Sequence, residues 1–281
     1  MTPMSNALSE ATPYATENPA ELGLVHWRRG LRSAQAESRT TGKPLLVLFD
    51  EVPGCSTVKG FGRVALSHPL LADAAETLFV PLFVSNNEEG EDRDVLLQFG
   101  EHPWDNPAVR FLSPQGRPVG SRLYGEWTAA SLAEHMVEAL GADAPPWLAL
   151  VAQEERAAAA GTVTETYGAW CFWQGEATLG AVPGVVGTRT GFLGGHEAVE
   201  LVIDPSRLDR GALRHAVDAL CAKPLQGELR PSPDDDNPAL RGTPWSLVPM
   251  TEAQAARVNA TVAAGGDPSP WLSPRQRALV R

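Results

Sequence analysis

Apolar and polar positions follow two rhythms along the chain. Leu22–Thr41 has Trp27, Leu31 and Ala34 at helical spacing and Gly42 as a stop, which predicts a helix. Pro44–Asp50 is an unbroken apolar run closed by an acid, the pattern of a strand buried on both faces. A Val-Pro-Gly-Cys-Ser-Thr turn follows at Val52–Thr57, then a helix through Val64 and a short helical segment at Pro69–Glu76. Thr77–Val84 reads as a second buried strand and Ser85–Asp94 as a polar loop. Asn106-Pro107 precedes a third strand, Ala108–Leu112, which a turn at Ser113–Gly116 joins to a strand at Pro118–Leu123. Trp127–Leu140 is amphipathic, with Leu132, Met136 and Leu140 on one face, and Trp147–Ala160 reads as an alanine-rich connecting helix.

A second module begins near Gly161. Thr162–Trp170 reads as a strand leading into Cys171, and Phe172–Leu179 as a helix. Glu197–Ile203 alternates as a strand and stops at Asp204-Pro205. Ser206–Ala222 is expected as a helix whose apolar face carries Leu213, Val217 and Leu220-Cys221, which places Cys221 in the core. Thr251–Ala264 is a helix with a capping box, because Gln254 lies three residues after Thr251.

The division expected is a disordered lead-in over residues 1–20, an α/β domain over 21–142, a connecting segment over 143–160 and an α+β domain over 161–281. A formal charge of −11 argues against a nucleic-acid or anionic-membrane surface. No run of about 18 apolar residues is present, so no membrane-crossing helix is expected. The N-terminus lacks the basic-then-apolar order of a secretory signal. The three cysteines, Cys55, Cys171 and Cys221, have no disulfide-scaffold spacing, which fits a reducing cytoplasm. No cofactor or metal is expected, since His68 and His102 form no zinc spacing with Cys55. The acidic runs Glu88–Asp94 and Asp234–Asp236 read as solvated loops.

The chemistry therefore concentrates on thiols. Cys171 follows a strand and opens a helix, where the helix dipole favours a thiolate. Cys55 sits on a Pro-Gly turn after a buried strand, which exposes it.

Residues carry two resemblances. Cys171-Phe172-Trp173, Glu176, Pro183-Gly184-Val185, Gly191-Phe192-Leu193-Gly194-Gly195 and Glu197-Ala198-Val199 with Asp204-Pro205 resemble the peptide methionine sulfoxide reductase A family. The resemblance implies a two-layer α+β sandwich in which Cys171 attacks a sulfoxide sulfur. It further implies that Phe172 and Trp173 hold the substrate methyl group and that Glu197 protonates the departing oxygen. That family carries a longer insert after its Gly-Gly, with an oxygen-binding tyrosine, and a second tyrosine and an aspartate further on. Here Gly195 runs directly into His196-Glu197, and no tyrosine follows Cys171.

Helix, strand, cysteine turn, helix, strand, proline, hairpin and helix over Leu22–Leu140 is the thioredoxin order, and the Val52–Thr57 turn resembles the VPGUxT thioredoxin-like (seleno)protein family. There Cys55 stands where that family has selenocysteine or cysteine, Pro107 matches the cis-proline that faces the thiol, and Thr57 completes the motif. Ser56, Thr57 and Val58 follow Cys55, so this turn closes no disulfide of its own.

Together the resemblances imply a thiol-dependent oxidoreductase acting on a small or peptidyl sulfoxide. Cys55 would resolve a Cys171 sulfenic acid, and thioredoxin or a low-molecular-weight thiol would be the external reductant. The alternatives are a degenerate relative acting as a redox sensor or soft-metal and electrophile binder, or a fusion in which only the Cys55 half acts.

Overall fold

Strand β1 (Leu45–Asp50) is buried at every position, and its two side-chain faces feed two different cores. Leu46 and Leu48 pack with Phe61, Leu66, Phe79, Phe111 and Met136. Leu45, Val47 and Phe49 point the other way, against Leu31, Ala34, Val95 and Leu96. A strand sandwiched between helical layers has no solvent face, which is why its sequence is continuously apolar. The computed structural model describes residues 18–280. Most of the lead-in expected over residues 1–20 lies outside the described residues.

The described residues divide into two compact units, with the boundary between Ala152 and Gln153. In the first, α1 (Leu31–Thr41) precedes β1, and α2 (Ser56–Phe61) runs into a π-helical turn at Gly62–Leu66. Helix α3 (Pro69–Thr77), β2 (Val80–Ser85), α4 (Glu91–Phe99), β3 (Ala108–Leu112) and α5 (Ala129–Leu140) follow. The sheet order is β2-β1-β3, with β1 parallel to β2 and antiparallel to β3. The boundary falls inside α6 (Pro146–Ala160).

Three local expectations are corrected here. The helix read from Leu22 starts only at Leu31, because Gly30 takes φ 82° and Arg28 bridges to Leu82 of β2. The polar stretch Ser85–Asp94 is half helix: α4 opens on Glu91, Asp92 and Asp94, whose charges favour a helix N-terminus, and buries Val95 and Leu96. The strand read at Pro118–Leu123 reduces to two isolated bridges, Leu112 with Pro118 and Val109 with Leu123. Pro118 has no N–H for a ladder, and Gly120 turns the chain at φ 67°.

The second unit is a five-stranded antiparallel sheet ordered β7-β4-β6-β5-β8. Its strands are β4 (Val163–Gly168), β5 (Val185–Leu193), β6 (His196–Ile203), β7 (Lys223–Leu225) and β8 (Arg230–Pro231). Helices α7 (Phe172–Gly180) and α8 (Arg210–Ala219) pack on one face, where Val199, Leu201 and Ile203 of β6 meet Phe172, Leu179, Leu213 and Ala216. Helix α9 (Glu252–Ala263) carries the capping box of Thr251 and Gln254, and α10 (Pro274–Ala278) ends the described fold.

The helix read over Ser206–Ala222 is shorter than expected, and Cys221 is exposed rather than in the core. The chain leaves α8 through a reversal in which Ala222 N–H bonds Val217 O and Cys221 N–H bonds Asp218 O. Cys221 takes φ 49° at the position where such reversals ordinarily place glycine. The apolar periodicity of the helix therefore no longer governs which way its side chain points.

Candidate functional site

Cys171 is the N-cap of α7, exposed, with its carbonyl accepting the N–H of Gly175 as the first bond of the helix. Helix α7 forms because Phe172, Gly175, Glu176 and Leu179 make a buried stripe at helical spacing against the sheet. Gly175 is required for that contact: a Cβ there would sit 3.2 Å from both Ala169 Cβ and Val199 Cγ2.

Glu197 comes to this thiol from β6. Its parity matches Val199, Leu201 and Ile203, so it faces the helical layer rather than the opposite side. Its Oε2 accepts the backbone N–H of Phe172 at 2.9 Å, and its own carbonyl accepts the N–H of Ala169. The carboxylate thus occupies the first orphan amide of α7, in the residue next to Cys171. Glu197 is held there by the short hairpin, Leu193-Gly194-Gly195-His196, whose two central glycines take φ 60° and 85°. A two-residue turn with both φ values positive matches the twist of the strands, which is why the segment needs no longer insert to close.

The aromatic pair separates in burial. Phe172 enters the core and meets Phe192 edge-on at 5.6 Å, while Trp173 stays partly exposed at 6.2 Å from Phe172. Arg230 lies over Phe192 and Arg241 over Trp173. Of the three successive aspartates, Asp235 accepts the Trp173 indole N–H at 3.3 Å, and Asp236 accepts the backbone and hydroxyl of Thr190. Asp235 is thus the acidic residue of that loop that touches the cysteine's helix.

Glu176 lies one turn along α7, fully buried, with its carboxyl oxygens bonded by Thr188 Oγ1 and the backbone N–H of Asn237, each at 2.8 Å. Burial outweighs those hydrogen bonds and pushes its pKa up to about 7. Tyr167, the tyrosine of this unit, commits its hydroxyl to Glu165 at 2.7 Å.

A pocket of about 470 Å³ opens at Glu197. It is lined by Gly168–Trp170, His196, Glu197, Cys221 and Lys223. Trp170 is 92% exposed, so its indole has no packing role. Sequence reasoning left Trp170, Lys223 and Cys221 out of the site; the helical reading of Cys221 concealed it.

The first unit presents Cys55 as the exposed N-cap of α2. Its N–H donates to Glu51 Oε1 at 3.1 Å, and Gly54 N–H donates to the buried Glu21 carboxylate at 2.9 Å, so two acids shape the turn. Thr57 lies within α2, half-buried. Pro107 follows a cis peptide bond and immediately precedes β3. Because Ala108 pairs with Phe49, Pro107 sits at the end of the sheet where β1 delivers the Cys55 turn. Asp50 ends β1 there, fully buried; its Oδ1 accepts Glu51 N–H, and Oδ2 has no protein partner. Burial pushes the Asp50 carboxyl up to about 8. An acid closing an apolar run was the available signal for this residue.

Among the described residues no group of three or more His, Cys, Asp or Glu side chains is arranged to hold a metal ion. His68 caps α3 through its ring nitrogen, and His102 stacks on Trp104. No helix among them is long and apolar enough to cross a membrane.

No protein-family model matches the chain. No curated protein matches it. Among solved structures it is similar to one titled "DsbH Oxidoreductase", at 15% identity and a TM-score of 0.37, over 48% of this chain and 97% of that one. It is also similar to "Solution structure of a thioredoxin from Thermus thermophilus", at 21% identity and a TM-score of 0.36, over 42% of this chain and 89% of that one.

Proposed function

We propose that the chain is a thiol-dependent oxidoreductase that reduces a sulfoxide, of methionine or a related compound, through Cys171. The observation that carries this reading is that the Glu197 carboxylate accepts the amide N–H of Phe172, the residue after the exposed Cys171 at the helix N-terminus. In the reaction the Cys171 thiolate attacks the sulfoxide sulfur while Glu197 gives its proton to the oxygen. The substrate leaves as a thioether, and the oxygen remains on Cys171 as a sulfenic acid. In this reading the exposed Trp173 offers the aromatic surface for the sulfur's alkyl groups, and Phe172 backs it from the core.

A second thiol then condenses with the sulfenic acid, giving a disulfide and water. In this reading the thioredoxin-like order of the first unit supplies that reducing function through Cys55, with Pro107 and Thr57 shaping its turn. A thioredoxin or a low-molecular-weight thiol completes the cycle in a reducing cytoplasm.

The test is a single turnover. Pre-reduced protein without added reductant is mixed with methionine S-sulfoxide, and methionine and intact protein mass are measured. Near-stoichiometric methionine upholds the reading; no methionine and no mass change overturns it for that substrate.

A second reading rests on the hydroxyls. Tyr167 is the tyrosine of this unit and is engaged by Glu165, so no phenol is free to bind a substrate oxygen. Losing one such donor typically costs about 10²–10³ in rate. On that reading Cys171 senses oxidants or captures electrophiles. Rapid alkylation of Cys171 with no turnover on several sulfoxides would select it.

A further inference from the structure

We propose that Cys221 is the thiol that closes on Cys171, forming a disulfide within the second unit before any other thiol intervenes. This deepens the reading of Cys171 as the attacking thiol and rests on it.

Three observations bring the two cysteines to the same end of the sheet. Strands β4 and β7 pair with Gly168 opposite Lys223, and both chains run on toward the same end of the sheet, one into Cys171 and the other back into Cys221. The residue before Cys171, Trp170, lines the same pocket as Cys221. The residue after Cys171, Phe172, is hydrogen-bonded by Glu197, which also lines that pocket. Cys171 therefore follows a residue that shares a cavity with Cys221 and precedes one tied to Glu197 of the same lining, and both thiols are free and exposed.

The backbone supplies an independent reason. Cys221 occupies the left-handed position that ends α8, with φ 49°, where glycine carries no steric penalty. A side chain retained at such a position adds nothing to the core, since Cys221 is exposed. It does place Cys221 in the lining of the cavity that Glu197 and Lys223 also line.

The step balances. Cys171 sulfenic acid and the Cys221 thiol give the Cys171–Cys221 disulfide and one water. An external thiol, or Cys55, then opens that disulfide by thiolate attack, with a second thiol completing the reduction. Closure requires the two Cα atoms to approach within about 7 Å.

The experiment uses the full chain carrying Cys55→Ser, which leaves Cys171 and Cys221. It is reduced, freed of reductant and treated in parallel with one equivalent of hydrogen peroxide or of methionine S-sulfoxide. The expected product has lost two hydrogens, and peptide mapping finds Cys171 linked to Cys221. The Cys55→Ser/Cys221→Ser variant should instead gain one oxygen that dimedone traps at Cys171. A Cys55→Ser protein that keeps a dimedone-reactive sulfenic acid with Cys221 still alkylatable overturns the inference, and methionine formed in that sample leaves the sulfoxide reading standing. A disulfide with peroxide but not with sulfoxide upholds the pair and removes the sulfoxide reading. No reaction at Cys171 with either oxidant overturns both.

Discussion

The Glu197 carboxylate receives the backbone N–H of Phe172 at 2.9 Å, so an acid on β6 is fixed to the first amide of the helix that Cys171 caps. The same carboxyl group thus has two separable jobs: a cap, which needs only an acceptor oxygen, and a proton source, which needs an acidic hydrogen. Glu197→Gln divides them. The amide oxygen can still accept from Phe172, so thermal unfolding should stay within a degree or two, while single-turnover methionine formation should fall by about 10²–10⁴. An unchanged rate would leave Glu197 as a cap only.

Asp50 makes the stability of the first unit depend on pH. Its carboxyl is raised from an ordinary 3.8 to about 8 by burial. Below the unfolded value both states hold the proton, and burial of the neutral acid carries no ionic cost. Between about 4 and 8 the unfolded chain gives up the proton while the folded chain keeps it, so stability falls as pH rises, at up to about 1.4 kcal/mol per unit. The loss across that window is at most about 6 kcal/mol. Asp50→Asn should remove the slope. Urea unfolding at pH 5 and pH 8 checks this, since the wild-type-minus-variant difference isolates Asp50 from Glu154 and Glu176, both raised to about 7 by burial in the second unit. A parallel pH response in both proteins would refute it.

Gly184, between β5 and the turn after α7, is fixed by close approach. It takes φ 96°, and a Cβ would lie 2.3 Å from Leu208 Cα and 2.5 Å from Leu208 N. The segment is also tied by Asp204 N–H to Gly184 O and Asp209 N–H to Pro183 O, so neither chain can retreat without losing hydrogen bonds. Gly184→Ala should cost about 3 kcal/mol or more, read as a lower denaturation midpoint of the second unit. A shift of a few tenths would show that the loop yields.

What the sequence made legible follows from where burial is one-dimensional. The apolar run of β1 and the strand–cysteine–helix order around Cys171 depend on neighbours in the chain, and both formed as expected. The capping box of Thr251 and Gln254 did too, because it is purely local. Strand β5 was not visible, because Gly187 and Gly191 interrupt its pattern, yet Gly191 is glycine because a Cβ would meet the backbone oxygen of Arg230 at 2.3 Å. That contact comes from a distant segment. Helix α4 was hidden by the acids that stabilise its start. The site divides the same way. Cys171 and its helix were local; the facing of Glu197, the Asp235–Trp173 contact and the exposure of Cys221 were set by the sheet register and by a helix ending that periodicity cannot announce.

That helix ending gives a final test, independent of redox chemistry. At φ 49° a residue with a Cβ is strained relative to glycine by about 1 kcal/mol, and Ala carries the same penalty as Cys. The exposed Cys221 side chain offsets none of that through packing. Cys221→Gly should therefore raise the stability of the second unit by about 0.5–1 kcal/mol under reducing conditions, while Cys221→Ala should leave it unchanged. The glycine's greater freedom in the unfolded chain works against the gain and sets its upper limit. Urea midpoints of the three proteins in excess dithiothreitol decide it. A stabilised Cys221→Gly would mean that this cysteine is kept against the preference of the fold, whereas equal or lower stability would mean that the thiol makes contacts that compensate for its backbone.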